Sequence, residues 1–130
     1  MREVKFRGKW DHNLWKYGSL LTLSNNYSSE PYYQIISEEG HFNVNTKTIG
    51  QYTGRNDCNG AEIYEGDLLK NTYPSTMGEV LYEVYWNVEE ACFCVRGFGM
   101  NDDGIHRLSD LFRFNPNYII VNNIHDKASY

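Results

Sequence analysis

The sequence predicts an all-β fold with at most one short helix: a curled antiparallel N-terminal sheet, then a small C-terminal half patterned like an SH3-like barrel. Three observations predict it. Short runs alternate apolar and polar residues, the period of strands with one buried face. Gly, Asn, Asp and Pro punctuate those runs at short intervals. Aromatic residues make up 15% of the 130, including eleven Tyr and three Trp, which suits half-buried pleated surfaces and excludes a disordered chain.

Val4, Phe6, Gly8 and Trp10 alternate with Lys5, Arg7 and Lys9, so the first strand has one apolar and one basic face. Asp11-His12-Asn13 is turn material, and Trp15 to Leu23 supplies the hairpin partner. Ser24 to Pro31 forms a polar loop. Tyr32 to Ser37 and Phe42 to Val44 flank Glu38-Glu39-Gly40 as a second hairpin.

The most informative stretch runs from Gly50 to Asp67. Gly50, Gln51, Tyr52, Thr53 and Gly54 begin a strand. Asp57, Asn59 and Gly60 mark a tight turn, with Asn59 and Gly60 expected to share its two positive-φ positions. Tyr64 lies on the return strand, and Gly66-Asp67 launches the next, Leu68 to Lys70.

Beyond it the pattern predicts a loop over Asn71 to Met77 with Pro74, a strand from Gly78 to Trp86, a turn at Asn87 to Glu90, and a strand from Ala91 to Val95. That order is what a small SH3-like barrel shows. Asn101-Asp102-Asp103-Gly104 makes a turn. Leu108 to Phe114 is the one short helix, with Ser109 as its N-cap, and Tyr118 to Val121 is the last strand. The chain reads as one domain, 1–130, with a soft subdivision near Asp67 into 1–66 and 67–130. A chain of this length buries roughly two-thirds of its unfolded surface, enough for a core without staples.

The resemblance to a known family rests on three places. The opening Arg2-Glu3-Val4-Lys5-Phe6-Arg7-Gly8-Lys9-Trp10, with Trp15-Lys16-Tyr17-Gly18-Ser19-Leu20, is similar to the start of YopX-type proteins. The Gly50 to Asp67 stretch resembles the signature of that family. Val121-Asn122-Asn123-Ile124-His125-Asp126 resembles its closing Val-Gly-Asn-Ile pattern, with Asn122 where Gly is usual; Asn is the next most tolerant residue at positive φ. The resemblance implies a mostly β fold and an origin in phages or prophages. It implies no catalytic or binding residue.

A net charge of −5 argues against sequence-independent clamping of nucleic acid, which needs a positive field around the phosphates. Three cysteines, Cys58, Cys92 and Cys94, are too few and too odd for a secreted disulfide scaffold and suit a reducing cytosol. No apolar run approaches the ~18 residues of a membrane span, and the charged start has no apolar signal region. A soluble, cytoplasmic protein with no membrane partner is expected.

Cys92 and Cys94 are one residue apart. On a strand that spacing puts both on one face, where Cys acts as a small hydrophobe, whereas zinc sites pair cysteines two to four apart within a set of four ligands. A four-residue turn at Asn87 to Glu90 would pair Trp86 with Ala91, Val84 with Phe93 and Tyr82 with Val95, leaving the two cysteines opposite, with Tyr85 and Glu83. No metal and no cofactor are expected. His12, His41, His106 and His125 fall in or near predicted turns without the nucleophile and orienting carboxylate that catalysis needs. The acidic pairs Glu38-Glu39, Glu89-Glu90 and Asp102-Asp103 read as solvated turns, too short for a calcium loop. Asp67 reads as a turn-pinning acceptor. Gly97-Phe98-Gly99 lacks the helix start and Lys of a phosphate loop.

Lys5, Arg7 and Lys9, with Trp10, Trp15 and Tyr17, form the one basic-aromatic patch. Its cations could meet phosphates while its rings stack on bases; as a structural feature it is a charged strand face that discourages aggregation. The expected function is a non-enzymatic phage or prophage accessory protein acting by protein binding or self-association. One alternative is a single-stranded nucleic-acid binder using that patch. The other is a small enzyme using Asp67, His106 or Arg107 in a cleft between the two halves.

Overall fold

In the computed structural model eleven strands among the described residues carry almost all of the regular structure, and their side-chain alternation follows the sequence pattern. The structure describes residues 3–73, 79–99 and 104–126. The predicted turn residues Asn101, Asp102 and Asp103, the loop residue Pro74 and the strand start Gly78 lie outside the described residues, as does the His12 side chain. The chain divides into two compact units, Met1–Tyr52 and Thr53–Tyr130, at a point inside one strand and upstream of Asp67.

The first unit holds β1 (Phe6–Trp10), β2 (Leu14–Leu23), β3 (Tyr32–Ser37), β4 (Gly40–Asn43) and the start of β5 (Gly50–Asn56), in the antiparallel order β4-β3-β2-β1-β5. Asp11–Asn13 and Thr46–Thr48 are single 3₁₀ turns. The long β2 pairs with β1 over Leu14 to Gly18 and with β3 over Ser19 to Leu23. Gly18 sits where the partner changes. A Cβ there would lie 2.2 Å from the Ile36 carbonyl oxygen, so only glycine lets β3 come this close.

The second unit continues β5 and adds β6 (Glu62–Tyr64), β7 (Asp67–Asn71), β8 (Leu81–Asn87), β9 (Cys92–Phe98), β10 (Ile105–Arg107), helix α1 (Leu108–Phe114) and β11 (Tyr118–Asn123). Five of these strands form an antiparallel sheet in the order β10-β9-β8-β7-β11. Among the described residues β10 and β11 are its two edges and do not pair, so the all-β half is a five-stranded antiparallel sheet with no closed barrel among those residues.

One face of this sheet carries the core. Leu69, Tyr82, Val84, Val95 and Tyr118 pack with Ile63 and with Leu108, Leu111 and Phe112 of α1. Ile63, Leu69 and Val95 are wholly buried, each such side chain contributing roughly 1.5–3 kcal/mol by transfer from water. Edge-to-face contacts of Tyr118 with Tyr82 and Trp86 with Phe93 extend it.

Several expectations are corrected. The β8–β9 turn is Val88 to Ala91, one residue later than predicted, so Trp86 opposes Phe93, Val84 opposes Val95 and Tyr82 opposes Gly97. The Asn87 side chain holds it by accepting the Glu89 and Glu90 N–H groups at 3.1 and 3.2 Å, and Ala91 takes the positive φ of 52°. α1 occupies the predicted residues, but its N-cap is Arg107, with no side-chain cap bond; Ser109 lies inside the first turn. Asn122 has no positive φ: β11 runs on to Asn123, and the irregularity is a bulge between Ile120 and Asn122.

Candidate functional site

In the first unit, register decides what the basic-aromatic patch becomes. Arg7 faces Tyr17 and Lys9 faces Trp15 across β1–β2, and opposed residues share a sheet face. On the other flank the Tyr52 N–H donates to the Lys5 carbonyl, and the Lys5 ammonium lies 5.2 Å from the Tyr52 ring centre. A central row of cations, Lys5, Arg7 and Lys9, is thus flanked by rings from both neighbouring strands. Trp10 does not join them. It points to the opposite face, edge-on to Phe42 at 5.1 Å, with the Lys16 ammonium 5.2 Å from its ring centre and 4.3 Å from that of Phe42.

The cations cover the protein's own rings. The Arg7 guanidinium carbon lies 4.4 Å from the Trp15 ring centre and the Lys9 ammonium 5.3 Å from it. Arg7 is buried, 5% exposed, and Tyr52 is buried too, while Tyr17 is 48% exposed. Lys5 also pairs with Glu3 at 2.9 Å. Cation–π contacts of this kind stabilise by about 0.5–2 kcal/mol, more when desolvated. Chemically this is a cohesive sheet face whose cations lie against the protein's own rings.

In the second unit, the central signature builds two pinned turns. Asp57 is buried and uses both carboxylate oxygens. Oδ1 accepts the N–H groups of Asn59 and Ala61, each at 2.9 Å, and Oδ2 accepts that of Ile120 on β11 at 3.1 Å. The Cys58 N–H donates to the Tyr118 carbonyl at 3.1 Å. The turn is therefore a three-residue loop with only Gly60 at positive φ (86°), not the two-residue turn in which Asn59 would share it. Thr53 Oγ1 donates to the Ile63 carbonyl at 2.9 Å, and Gly54 has a φ of 85°.

The second turn, Glu65-Gly66, leads into Asp67, which is 1% exposed and accepts the Tyr64 N–H at 2.8 Å. Gly66 donates to the Val84 carbonyl and accepts from the Ile124 N–H. Nearby, a residue the sequence reading did not single out does similar work. Asn123 is buried, its Oδ1 accepting the N–H groups of His125 and Asp126, its amide donating to Asp126 Oδ2 at 2.6 Å. The spacing Asn123-x-x-Asp126 was the available signal.

The groups considered for catalysis do not converge. Asp67 is on β7 and His106 on β10, with β8 and β9 between them, roughly 14 Å at ordinary strand spacing. His106 sits edge-on to Tyr82, 6.1 Å between ring centres. Its neighbour Arg107 points to the opposite face and pairs with Glu90 at 2.8 Å. His41 is exposed on β4, and His125 follows β11 beside Gly66. Among the described residues no three His, Cys, Asp or Glu side chains form a metal-holding group.

The two cysteines do come together. Cys92 and Cys94 share the face opposite the core with Tyr85, their sulfurs 3.9 Å apart. Burial raises the Cys94 thiol above its ordinary value of 9.0, and the neighbouring Cys92 adds to the shift. Cys58 is exposed in the signature turn.

The YopX protein family model matches residues 5–129. The chain belongs to the YopX family. Among solved structures it is similar to protein EF1440 from Enterococcus faecalis, with 22% identity over 98% of this chain and 96% of that one and a TM-score of 0.56. That likeness places the two YopX-family sheets in a fold already seen by crystallography and says nothing of activity. No curated protein matches the chain. No helix among the described residues is long and apolar enough to cross a membrane.

Proposed function

We propose that this YopX-family chain is a non-enzymatic accessory protein of phage or prophage origin that works in the cytoplasm by protein binding, including binding to itself. One observation carries the reading. At the β9–β10 end of the second sheet, on the face opposite the core, Phe98 and Ile105 are 50% and 56% exposed. Between them Arg96 lies over the Tyr85 ring at 4.8 Å. Exposed aromatic and aliphatic residues around an arginine are the composition of interface cores. The engagement of Asp57 and Asp67 in turns supports the non-enzymatic part of the reading.

Light scattering coupled to size exclusion, over a concentration series, tests it. The wild type should show a mass that rises above the monomer. The double variant Phe98→Ser, Ile105→Ser should remain monomeric with an unchanged circular-dichroism spectrum. A wild type that stays monomeric at every concentration overturns self-association. The nucleic-acid alternative would use the Lys5, Arg7 and Lys9 row; an electrophoretic shift over a salt series, lost in Lys5→Glu with Lys9→Glu, is what it requires.

A further inference from the structure

We propose that Cys92 and Cys94 form a two-thiolate chelate for one soft, thiophilic monovalent cation of the Cu(I) type. The two side chains project from one face of β9, and their sulfurs are already 3.9 Å apart. Two sulfurs bound to one ion by metal–thiolate bonds of ~2.3 Å are about 3.8 Å apart at a tetrahedral angle and ~4.6 Å apart when opposed. The observed spacing lies within that range, so a bridging ion needs little more than a rotamer adjustment.

The obvious competing product fits the strand poorly. A disulfide needs the sulfurs at ~2.05 Å, and two strand residues spaced i, i+2 hold their Cα atoms about 6.6 Å apart, near the upper limit for a bridge. Closing it would pinch a strand hydrogen-bonded on both sides, to β8 and to β10. Zinc fits poorly as well, since it wants three or four protein ligands and no such set exists among the described residues. A soft cation that accepts thiolates alone matches what is present.

The surroundings suit the charge that results. Binding releases both thiol protons to solvent and leaves two thiolates on one monovalent cation, a site of net charge −1. Arg107 faces Cys94 in the register of β9 and β10 and pairs with Glu90 at 2.8 Å, so the site has a cation on its own face, shared with that carboxylate. Cys92 is half-buried and offers the way in, while the Cys94 sulfur is fully buried. Asn87 lies opposite Cys92 in the register of β8 and β9.

The experiment is an anaerobic titration of the reduced, full-length protein with Cu(I) against a chromogenic Cu(I) chelator. Wild type and Cys58→Ser should each take up one ion per chain and develop thiolate-to-metal absorption in the near ultraviolet. Cys92→Ser should lower the affinity at least 100-fold, and so should Cys94→Ala, chosen because an apolar residue suits that buried site. Arg107→Gln should weaken binding several-fold without changing the stoichiometry. One ion per chain retained in Cys92→Ser or Cys94→Ala with native circular dichroism overturns the proposal, as does uptake that disappears with Cys58→Ser.

Discussion

Asp57 and Ile120 are joined by a 3.1 Å hydrogen bond from the Ile120 N–H to the Asp57 carboxylate, tying the signature turn to the last strand. The same carboxylate holds Asn59 and Ala61, so three backbone donors depend on one buried side chain. Asp57→Ala strands all three and should cost about 3 kcal/mol of folding free energy, with Asp57→Asn losing less because one acceptor oxygen survives. Urea denaturation followed by tryptophan emission measures both. A loss under ~1 kcal/mol for Asp57→Ala would show that water replaces the carboxylate.

Gly18→Ala places a methyl 2.2 Å from the Ile36 carbonyl, a clash with backbone rather than with a movable side chain. The expected cost is about 2–3 kcal/mol. Gly54→Ala, where nothing lies within 4 Å and only the positive φ opposes the change, should cost roughly 1 kcal/mol. Equal midpoints for the two variants would refute the close-approach account.

Arg7→Ala removes a buried guanidinium from the Trp15 face and leaves a gap beneath it, so a loss of about 2 kcal/mol is expected. Lys5→Ala touches a more exposed side chain and should cost under ~1 kcal/mol. Because packing dominates at Arg7, its loss should persist in 1 M salt, whereas that of Lys5 should shrink. Paired denaturation curves at low and high salt separate them.

The raised Cys94 thiol gives stability a pH dependence of definite sign. In the unfolded chain the thiol ionises near its ordinary value of 9.0, while in the folded chain it keeps its proton to higher pH. Above that value the native state holds the extra proton, so stability falls as pH rises; below it both states are protonated and the contribution is fully present. Cys94→Ala should flatten the decline between pH 8 and 10. A wild type and variant with parallel pH profiles would remove the effect.

The sequence made most of the strands legible, because alternation records which face is buried. It also placed the two cysteines on the correct face despite the wrong partners. Trp86 opposes Phe93 rather than Ala91, a slip of two positions, and an even slip leaves every side chain on its own face. The turn was misplaced because Asn87 reads as a turn residue and Ala91 as a strand residue. Here the Asn side chain caps the turn from the strand while Ala91 takes the left-handed backbone.

The basic-aromatic patch was half legible. Alternation separates Trp10 from Lys5, Arg7 and Lys9, yet sequence proximity grouped them. What no local pattern could supply was Tyr52, brought beside Lys5 by a pairing between residues far apart in the chain. Nor could it supply the reach of Asp57 to β11. Residues whose partners are distant in sequence leave no local periodicity to read.

The signature loop lies along the outer rim of β11, its Cys58 amide and Asp57 carboxylate occupying the Tyr118 carbonyl and the Ile120 amide. Fibre growth by strand addition needs two adhesive rims on a sheet, one to receive and one to extend. At these positions the second sheet keeps its last strand from recruiting a foreign one, which removes one of the two rims a filament would need.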